Sequence, residues 1–246
     1  MTAPKKTHQA VTGEGSPMER YQNVVVGHRS IWGLAYFEWC QQLSGVRGAL
    51  GLKLRSIFWP RLFGSCGDGV VFGAGIVLRH PKRIHLGDRV AIGEGCLLDA
   101  RHSALDKVLV LEDDVILSNN VAISCKEGSV RLGRGTGVGM SSVIQSTHNN
   151  PVEVGPEVAI GPQCFLVGGG EYDLGHVQEP ISRQPILSDG GVVVEEGAWL
   201  GARVILLGGI RLGAGAVAGA GAVVTKSVPA RSVCVGAPAR VVKIRE

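Results

Sequence analysis

The chain has 246 residues and a formal net charge of +4 at pH 7, which favours one large domain or a domain with an appendage and does not indicate a nucleic-acid partner. Glycine is abundant at 37 residues and aromatic residues make up only 5%, a composition typical of recurrent tight turns rather than of an ordinary globular core. Six cysteines lie far apart without metal-type spacing, and no apolar stretch follows Lys5-Lys6, so we expect reduced thiols, no secretory signal and a cytoplasmic protein.

The N-terminal quarter divides into a polar tail over residues 1–20 and a segment over 21–64 that we predict to be helical. Glycines at 45, 48 and 51 make two helices as plausible as one. The apolar residues that recur at helical spacing are Trp32, Tyr36, Trp39, Leu43, Val46, Leu50, Leu54 and Ile57.

Two interpretations of this helical segment remain open. We favour a cap that packs on the domain formed by the later residues and on a neighbouring subunit. The segment over residues 28–63 also contains five basic residues against one acid, which suits a basic amphipathic face at the inner surface of a membrane. The basic residues are Arg29, Arg47, Lys53, Arg55 and Arg61, and the acid is Glu38.

The stretch Val194–Pro229 repeats one pattern every six residues, VEEGAW LGARVI LLGGIR LGAGAV AGAGAV VTKSVP. Each block begins with an aliphatic or small residue. A period of six suits neither a helix nor a simple two-faced strand, but it does suit short strands joined by tight turns. Three such sides form one triangular coil, and stacked coils bury a shared apolar column.

A membrane span over residues 204–224 is the alternative for this apolar stretch. We disfavour it because Arg211 and several glycines interrupt it and its aliphatic residues keep the six-residue register.

The same hexads predict a β domain of about seven coils over residues 65–229, followed by a C-terminal tail over 230–246 that leaves the coil. Every departure from the period falls after the third hexad of a coil, and the longest is the loop 167–193. One edge of the prism therefore carries all the elaboration, which is where function is expected.

The hexads, the run GAGAVVTKSVP at 219–229 and VGAPARVV at 235–242 resemble the hexapeptide-repeat acyltransferases, in particular the sugar and polysaccharide O-acetyltransferases. The resemblance implies a left-handed parallel β-helix, a homotrimer, and acetyl-CoA or a related acyl-CoA bound between adjacent prisms. It implies small residues of the late coils against the pantetheine, and cations near the cofactor phosphates. The cofactor-binding candidates are Gly201, Ala202, Gly219, Ala220, Gly221, Lys226, Arg240 and Lys243.

The general base is the point at which the chain departs from the family it resembles. Such enzymes use a histidine after the third hexad of the coil before the loop, and this chain has Glu171 there. Three candidates stay open: Glu171 itself, His176 from the loop, and His148 one coil earlier in the register that His102 shares. Asp173 or Glu179 could orient such an imidazole.

We expect a cytoplasmic O-acyltransferase that acetylates a sugar hydroxyl in polysaccharide or glycolipid biosynthesis. The acceptor contacts that we predict are Tyr172, Asp173, Arg183, Gln184 and Trp199, and no metal site is assigned.

Two rival functions belong to other classes. A catalytically silent scaffold would keep the prism without the family histidine. A γ-carbonic-anhydrase-like metalloenzyme would use His80, His85 and His102 as ligands, although the first histidine of that pattern has no equivalent here.

Overall fold

The computed structural model describes residues 16–175 and 177–246, and the described chain begins with a helical segment. Ser30 caps the helix Ile31–Ser44 by accepting a hydrogen bond from Gly33 N at 3.2 Å. This helix ends at Ser44, with Gly45 as its C-cap, before a second helix begins. The two-helix alternative is therefore correct. The elements are Pro17–Tyr21 (α1), a π-helical turn Gln22–Val26, Ile31–Ser44 (α2), Gly48–Phe58 (α3) and a 3₁₀ turn Trp59–Leu62.

Three parallel sheets then form the faces of a prism. Sheet A contains Ser65–Cys66 (β1), Ile84–Leu86 (β4), Leu109–Leu111 (β7), Val130–Leu132 (β10), Val152–Val154 (β13), Val192–Val194 (β16) and Ile210–Leu212 (β19). Sheet B contains Val71–Phe72 (β2), Ala91–Ile92 (β5), Ile116–Leu117 (β8), Gly137–Val138 (β11), Ala159–Ile160 (β14), Trp199–Leu200 (β17), Val217–Ala218 (β20), Ser232–Val235 (β22) and Arg240–Ile244 (β23). Sheet C contains Val77–Arg79 (β3), Leu97–Arg101 (β6), Ala122–Lys126 (β9), Val143–Thr147 (β12), Phe165–Gly168 (β15), Ile205–Leu206 (β18) and Val223–Val224 (β21).

The first residues of the predicted hexads form the core of this prism. Burial of each large aliphatic side chain contributes roughly 1.5–3 kcal/mol, so the repeated column accounts for most of the stabilisation of the coils. The predicted fold class, a mainly β parallel helix of about seven coils after an N-terminal helical segment, is confirmed. The buried residues are Phe72, Leu78, Leu86, Ile92, Leu98, Leu111, Leu117, Ile123, Leu132, Val138, Ile144, Val154, Ile160, Leu166, Val194, Leu200, Leu206, Leu212, Ala218 and Val224.

Connection lengths differ sharply between the three edges of the prism. Every connection from sheet A to sheet B, and from sheet B to sheet C, has four residues from β1 to β21. Connections from sheet C to sheet A of the next coil, at what we call the C–A edge, vary in length. They cover 80–83, 102–108, 127–129, 148–151, 169–191, and 207–209, with short 3₁₀ turns at Pro81–Arg83 and Ile181–Arg183. The prediction that one edge carries the insertions is confirmed.

The N-terminal helices cap the first coil, but with a different face from the predicted stripe. Phe37 and Trp59 are buried, and Trp59 Nε1 donates to Cys40 O at 3.1 Å. Arg55, predicted to be one of the surface cations, is buried and donates to Phe72 O of the first coil at 3.0 Å and to Leu43 O at 2.9 Å. Periodicity identifies an amphipathic helix but not which of two apolar sides faces the core.

Of the predicted apolar stripe, Leu43 is buried, whereas Trp32, Trp39, Leu50 and Ile57 are exposed. The stripe as a whole is therefore not the packing face, and that part of the prediction is wrong.

The C-terminal segment does not leave the coil, contrary to the prediction from the sequence. Strand β22 pairs in parallel with β20, and β23 returns antiparallel to β22. The segment therefore extends sheet B by two strands.

The apolar stretch 204–224 forms the short strands β18 to β21. Within residues 16–175 and 177–246, no helix has the length and apolar character needed to cross a bilayer.

Candidate functional site

Three polar side chains stack at the C–A edge, one from each of three successive coils. Strands β6, β9 and β12 align Arg101 with Lys126 and Lys126 with Thr147. The residues that come directly after these positions are His102, Glu127 and His148. The shared register of His102 and His148 predicted from the sequence is therefore present, with a carboxylate between them.

The imidazole ring of His102 forms hydrogen bonds within the turn that this residue starts. Its Nδ1 accepts hydrogen bonds from Ala104 N at 3.0 Å and Leu105 N at 2.9 Å. The other ring nitrogen, Nε2, is buried with no hydrogen-bond partner in the described residues. We conclude that His102 holds the turn.

Glu127, between the two histidines, is also engaged. Its Oε2 accepts from Ser103 Oγ at 2.6 Å and Ser103 N at 3.0 Å. Partial burial raises the pKa of Glu127, but the Ser103 hydrogen bonds, together with the electrostatic influence of His102 and Arg83, outweigh burial and hold that pKa below its ordinary value. The carboxylate is therefore ionised beside the histidine column at neutral pH.

His148 has a different environment. Its backbone is left-handed at φ 51°, and its N–H donates to Lys126 O at 3.1 Å. The side chain is half-buried, and Nδ1 is shielded from solvent with no hydrogen-bond partner in the described part of the chain. The fold thus orients the imidazole without using this nitrogen.

A buried asparagine that the sequence analysis did not single out connects His148 to the long loop. Asn150 is fully buried, and its Oδ1 accepts from Ser188 Oγ at 2.9 Å, Asp189 N at 3.0 Å and Gly190 N at 3.1 Å. Its Nδ2 donates to the carbonyls of Thr147 and His148, at 3.0 and 3.1 Å. The amide therefore ties the end of the loop to the turn that carries His148.

Asp189 forms a second set of hydrogen bonds at the base of the loop. Its carboxylate accepts from Gly169 N at 2.8 Å and Gly191 N at 2.7 Å, one at each end of the excursion. Both glycines have positive φ, 79° and 82°. A Cβ would lie 2.5 Å from Thr147 Oγ1 at Gly169 and 2.0 Å from Pro151 O at Gly191. Only glycine permits both ends of the loop to approach residues 147–151 so closely.

The two sides of the loop pair above this base. Glu171 O accepts from Leu187 N at 2.7 Å, and Asp173 N donates to Pro185 O at 2.9 Å. The Glu171 side chain is exposed, in contrast to the half-buried His148. His176 lies outside the described residues.

Most of the predicted acceptor contacts lie on this loop. Tyr172 and Asp173 are half-buried, and Arg183 is exposed. Gln184 is buried, and its Nε2 donates to Glu179 O at 3.0 Å, which is a packing role within the loop. Trp199 is exposed on β17 of sheet B, the face opposite the C–A edge. One chain therefore does not bring Trp199 to the loop.

The small residues proposed for the cofactor come together at the edge between sheets B and C, which we call the B–C edge. Gly201 N donates to Ala218 O and Gly221 N to Ala202 O, both at 2.8 Å. A Cβ at Gly201 would lie 2.6 Å from Ala220 N. Together with Gly219, these residues form a surface of small side chains in the last two coils, on which Ala220 and Gly221 are exposed and Gly201 is buried.

The three predicted phosphate-binding cations are not in one place. Arg240 and Lys243 lie on β23, at the end of sheet B. Lys226 comes after β21 and so lies at the C–A edge. Arg240 and Lys243 are therefore nearer to the small-residue surface in the sheet order, and all three are exposed.

The three histidines of the metalloenzyme alternative each have a protein partner. His80 Nε2 is 2.9 Å from Asn23 O, and His85 Nδ1 is 2.9 Å from Ser65 Oγ. Burial lowers the pKa of His80, and the hydrogen bond to Asn23 opposes this only in part. In the described ranges, no three His, Cys, Asp or Glu side chains are arranged to hold a metal ion.

No protein-family model matches the chain. The protein named probable acetyltransferase Rv3034c, from Mycobacterium tuberculosis, is 32% identical over 132 residues, which cover 54% of this chain and 43% of that protein. A 2,3,4,5-tetrahydropyridine-2,6-dicarboxylate N-acetyltransferase from Staphylococcus aureus is 38% identical over 89 residues, covering 36% of this chain and 31% of that protein. The chain thus spans less than half the length of these curated relatives.

The solved structure of a hexapeptide-repeat-containing acetyltransferase from Vibrio cholerae, VCA0836 complexed with acetyl-CoA, is 19% identical. The TM-score is 0.45, and the match covers 94% of this chain and 100% of that chain. The coils, each with three sides, agree with the hexad pattern of the sequence, and both curated relatives are named as acetyltransferases. The resemblance to the hexapeptide-repeat acyltransferases is confirmed.

Proposed function

We propose that this protein is an acyl-CoA-dependent O-acyltransferase that transfers an acetyl group to a sugar hydroxyl in polysaccharide or glycolipid biosynthesis. The curated relatives, both named as acetyltransferases, support acetyl transfer. Acetyl-CoA is the expected donor, since the small side chains at the B–C edge leave room for the close approach of an extended pantetheine arm.

The observation that carries this proposal is the position of His148, in the turn that Asn150 joins to the end of the long loop. A half-buried imidazole beside the loop that holds most of the predicted acceptor contacts is suited to general-base catalysis. The base takes the proton of the acceptor hydroxyl, and the oxygen attacks the thioester carbonyl. The C–S bond then breaks, and the proton passes to the CoA sulfur. Backbone N–H groups stabilise the oxyanion that forms between these steps.

The geometry also supports a homotrimer with its site between chains. Within one chain, His148 and the loop lie at the C–A edge, whereas the small-residue surface lies at the B–C edge. A neighbouring prism that presents its B–C edge to the C–A edge of the first would unite the base and the donor. A heterologous, closed ring of this kind repeats the same contact at each interface.

Thiol release from acetyl-CoA tests this function, with oligosaccharides as acceptors and amino sugars in a parallel series. We expect release with hydroxyl acceptors and a kcat reduced about 10²–10⁴-fold in His148→Asn. Coenzyme A binding, measured by calorimetry, should be retained in that variant because the base does not hold the cofactor. His102→Asn is the matched control at the same register position two coils earlier.

Other outcomes of this assay would replace the proposal. Turnover with amines alone would make the protein an N-acyltransferase. A purified protein that neither binds coenzyme A nor releases thiol would be a scaffold that retains only the prism. Loss of activity in Glu171→Gln, with full activity in His148→Asn, would assign the base to the loop carboxylate.

A further inference from the structure

The helical cap presents an apolar face to solvent on α2. Residues 31, 32, 35, 39 and 42 fall on one side of this helix and are all exposed. All but Gln42 are apolar, and the side chain of Trp32 is 86% exposed, with Ile31 at 77%. Nothing in the packing of the cap on the first coil requires large apolar groups on this side, since Phe37 and Cys40 supply the buried side.

The exposed face continues onto α3. Trp39 packs edge-on against Phe58, with ring centroids 4.6 Å apart, and Tyr36 Oη donates to Phe58 O at 2.6 Å. Next to this junction on α3, Ile57 is 51% exposed, and Leu50 two turns earlier is 66% exposed. We use "the helical face" for Ile31, Trp32, Trp39, Leu50 and Ile57.

Cations outnumber acids around the helical face, where Glu19 of α1 interacts electrostatically with Arg29. Arg29, Arg47, Lys53 and Arg61 are exposed, and none has a carboxylate partner within ion-pair distance in the described ranges. The only acid between residues 28 and 63 is Glu38, and its carboxylate accepts the hydroxyl of Tyr21.

We propose that the helical face docks the protein onto the surface of an anionic lipid bilayer. Tryptophan side chains favour the boundary between headgroups and acyl chains, and clustered cations favour anionic headgroups. This pairing of exposed apolar area with basic charge is typical of helices that lie on membranes without spanning them. A second copy docked face to face would bring its own cations against these four, which disfavours that occupant. The proposal does not rest on acyl-transfer chemistry.

Flotation with vesicles tests this surface, using phosphatidylcholine alone and phosphatidylcholine with phosphatidylglycerol. The 246-residue chain should float with the anionic vesicles and remain behind with the neutral ones, and added salt should reverse the binding. Trp32→Ser should weaken binding by about tenfold or more, and Lys53→Gln by about fivefold. Both side chains are exposed, so circular dichroism and the melting temperature should not change.

Matched control variants on the prism distinguish this docking from non-specific adsorption of the protein to vesicles. Trp199→Ser removes another exposed tryptophan and Lys107→Gln another exposed lysine, and both variants should bind as the wild type does. Absence of flotation with anionic vesicles would overturn the proposal, as would equal loss in the controls. If Trp32→Ser instead dissociated the oligomer in light scattering and left flotation unchanged, the face would belong to a contact between copies.

Discussion

At the scale of single residues, His102 and His148 show how the same register position can serve two purposes. His102 gives its Nδ1 to two backbone N–H groups of the following turn. In the turn after His148, the Asn150 side chain instead donates to the carbonyls of Thr147 and His148. The asparagine rather than the imidazole holds this turn, which leaves His148 available for the chemistry that we propose.

Replacing Asn150 should loosen the base of the loop. Asn150→Ala removes the acceptor for three donors and leaves buried polar groups without partners, which costs about 1–3 kcal/mol for each group that stays unsatisfied. We expect a lower melting temperature and faster limited proteolysis between residues 169 and 191. Asn150→Asp keeps the acceptor and loses only the two donated bonds, so its loop should be cut more slowly than that of Asn150→Ala. Equal cleavage of the wild type and Asn150→Ala would contradict this role.

At the scale of elements, the sequence predicted whatever depends on local spacing. The hexads were recognisable because each strand and its turn lie within six residues. The residue types in one short stretch of sequence therefore indicate which positions are buried. The three donors to Asn150 Oδ1 lie 38–40 residues away, and no local pattern indicates them. The packing side of α2 and the strand β23 depend on contacts across the fold in the same way. The sequence therefore predicted the scaffold and the edge that carries the long connections. It did not predict the hydrogen bonds of Asn150 and Asp189 that organise this edge.

Shortening the loop should separate acceptor binding from the stability of the coils. The buried residues on both sides, Leu166 and Val194, belong to coils that continue without the loop. With residues 172–186 replaced by a short glycine linker, we expect a melting temperature close to that of the wild type and unchanged coenzyme A binding. The KM for the acceptor should rise because the stem residues Tyr172 and Asp173 are removed. A variant that unfolds would show that the loop is part of the scaffold, contrary to this account.

At the scale of the whole molecule, the fold shields the cysteine thiols from water. Burial raises the pKa of every cysteine above the ordinary value of 9.0, and that of Cys66 to about 11. The unfolded chain therefore releases thiol protons at a lower pH than the native chain does. Between those two ranges the native state binds more protons, so the free energy of unfolding must fall as the pH rises.

Because the free energy of unfolding falls as the pH rises, we predict that alkaline conditions destabilise the protein. This destabilisation should begin near pH 9, where the thiols of the unfolded chain ionise. The free energy of unfolding in urea, measured at pH 7 and pH 10, should be lower at pH 10, and native thiols should react slowly with a disulfide reagent at both. Cys125→Ala removes a fully buried thiol and should reduce the pH dependence. An unchanged pH dependence in that variant would contradict the assignment to the thiols.

The arrangement of edges has a consequence for the trimer that we propose, since the proposed base and the proposed donor surface lie at different edges of each chain. Ala220→Trp should block the exposed small-residue surface, and His148→Asn should remove the base. Each variant alone places a defect in every interface between chains. A mixed trimer has interfaces that pair the intact C–A edge of one variant with the intact B–C edge of the other.

Thiol release by mixed trimers of these two variants is therefore the most direct test of a shared site. We predict that each variant alone is inactive and that unfolding and refolding them together restores a substantial fraction of the wild-type rate. Native mass spectrometry should show mixed trimers in the active sample. A mixture that contains such trimers but releases no thiol would contradict a site built from two chains.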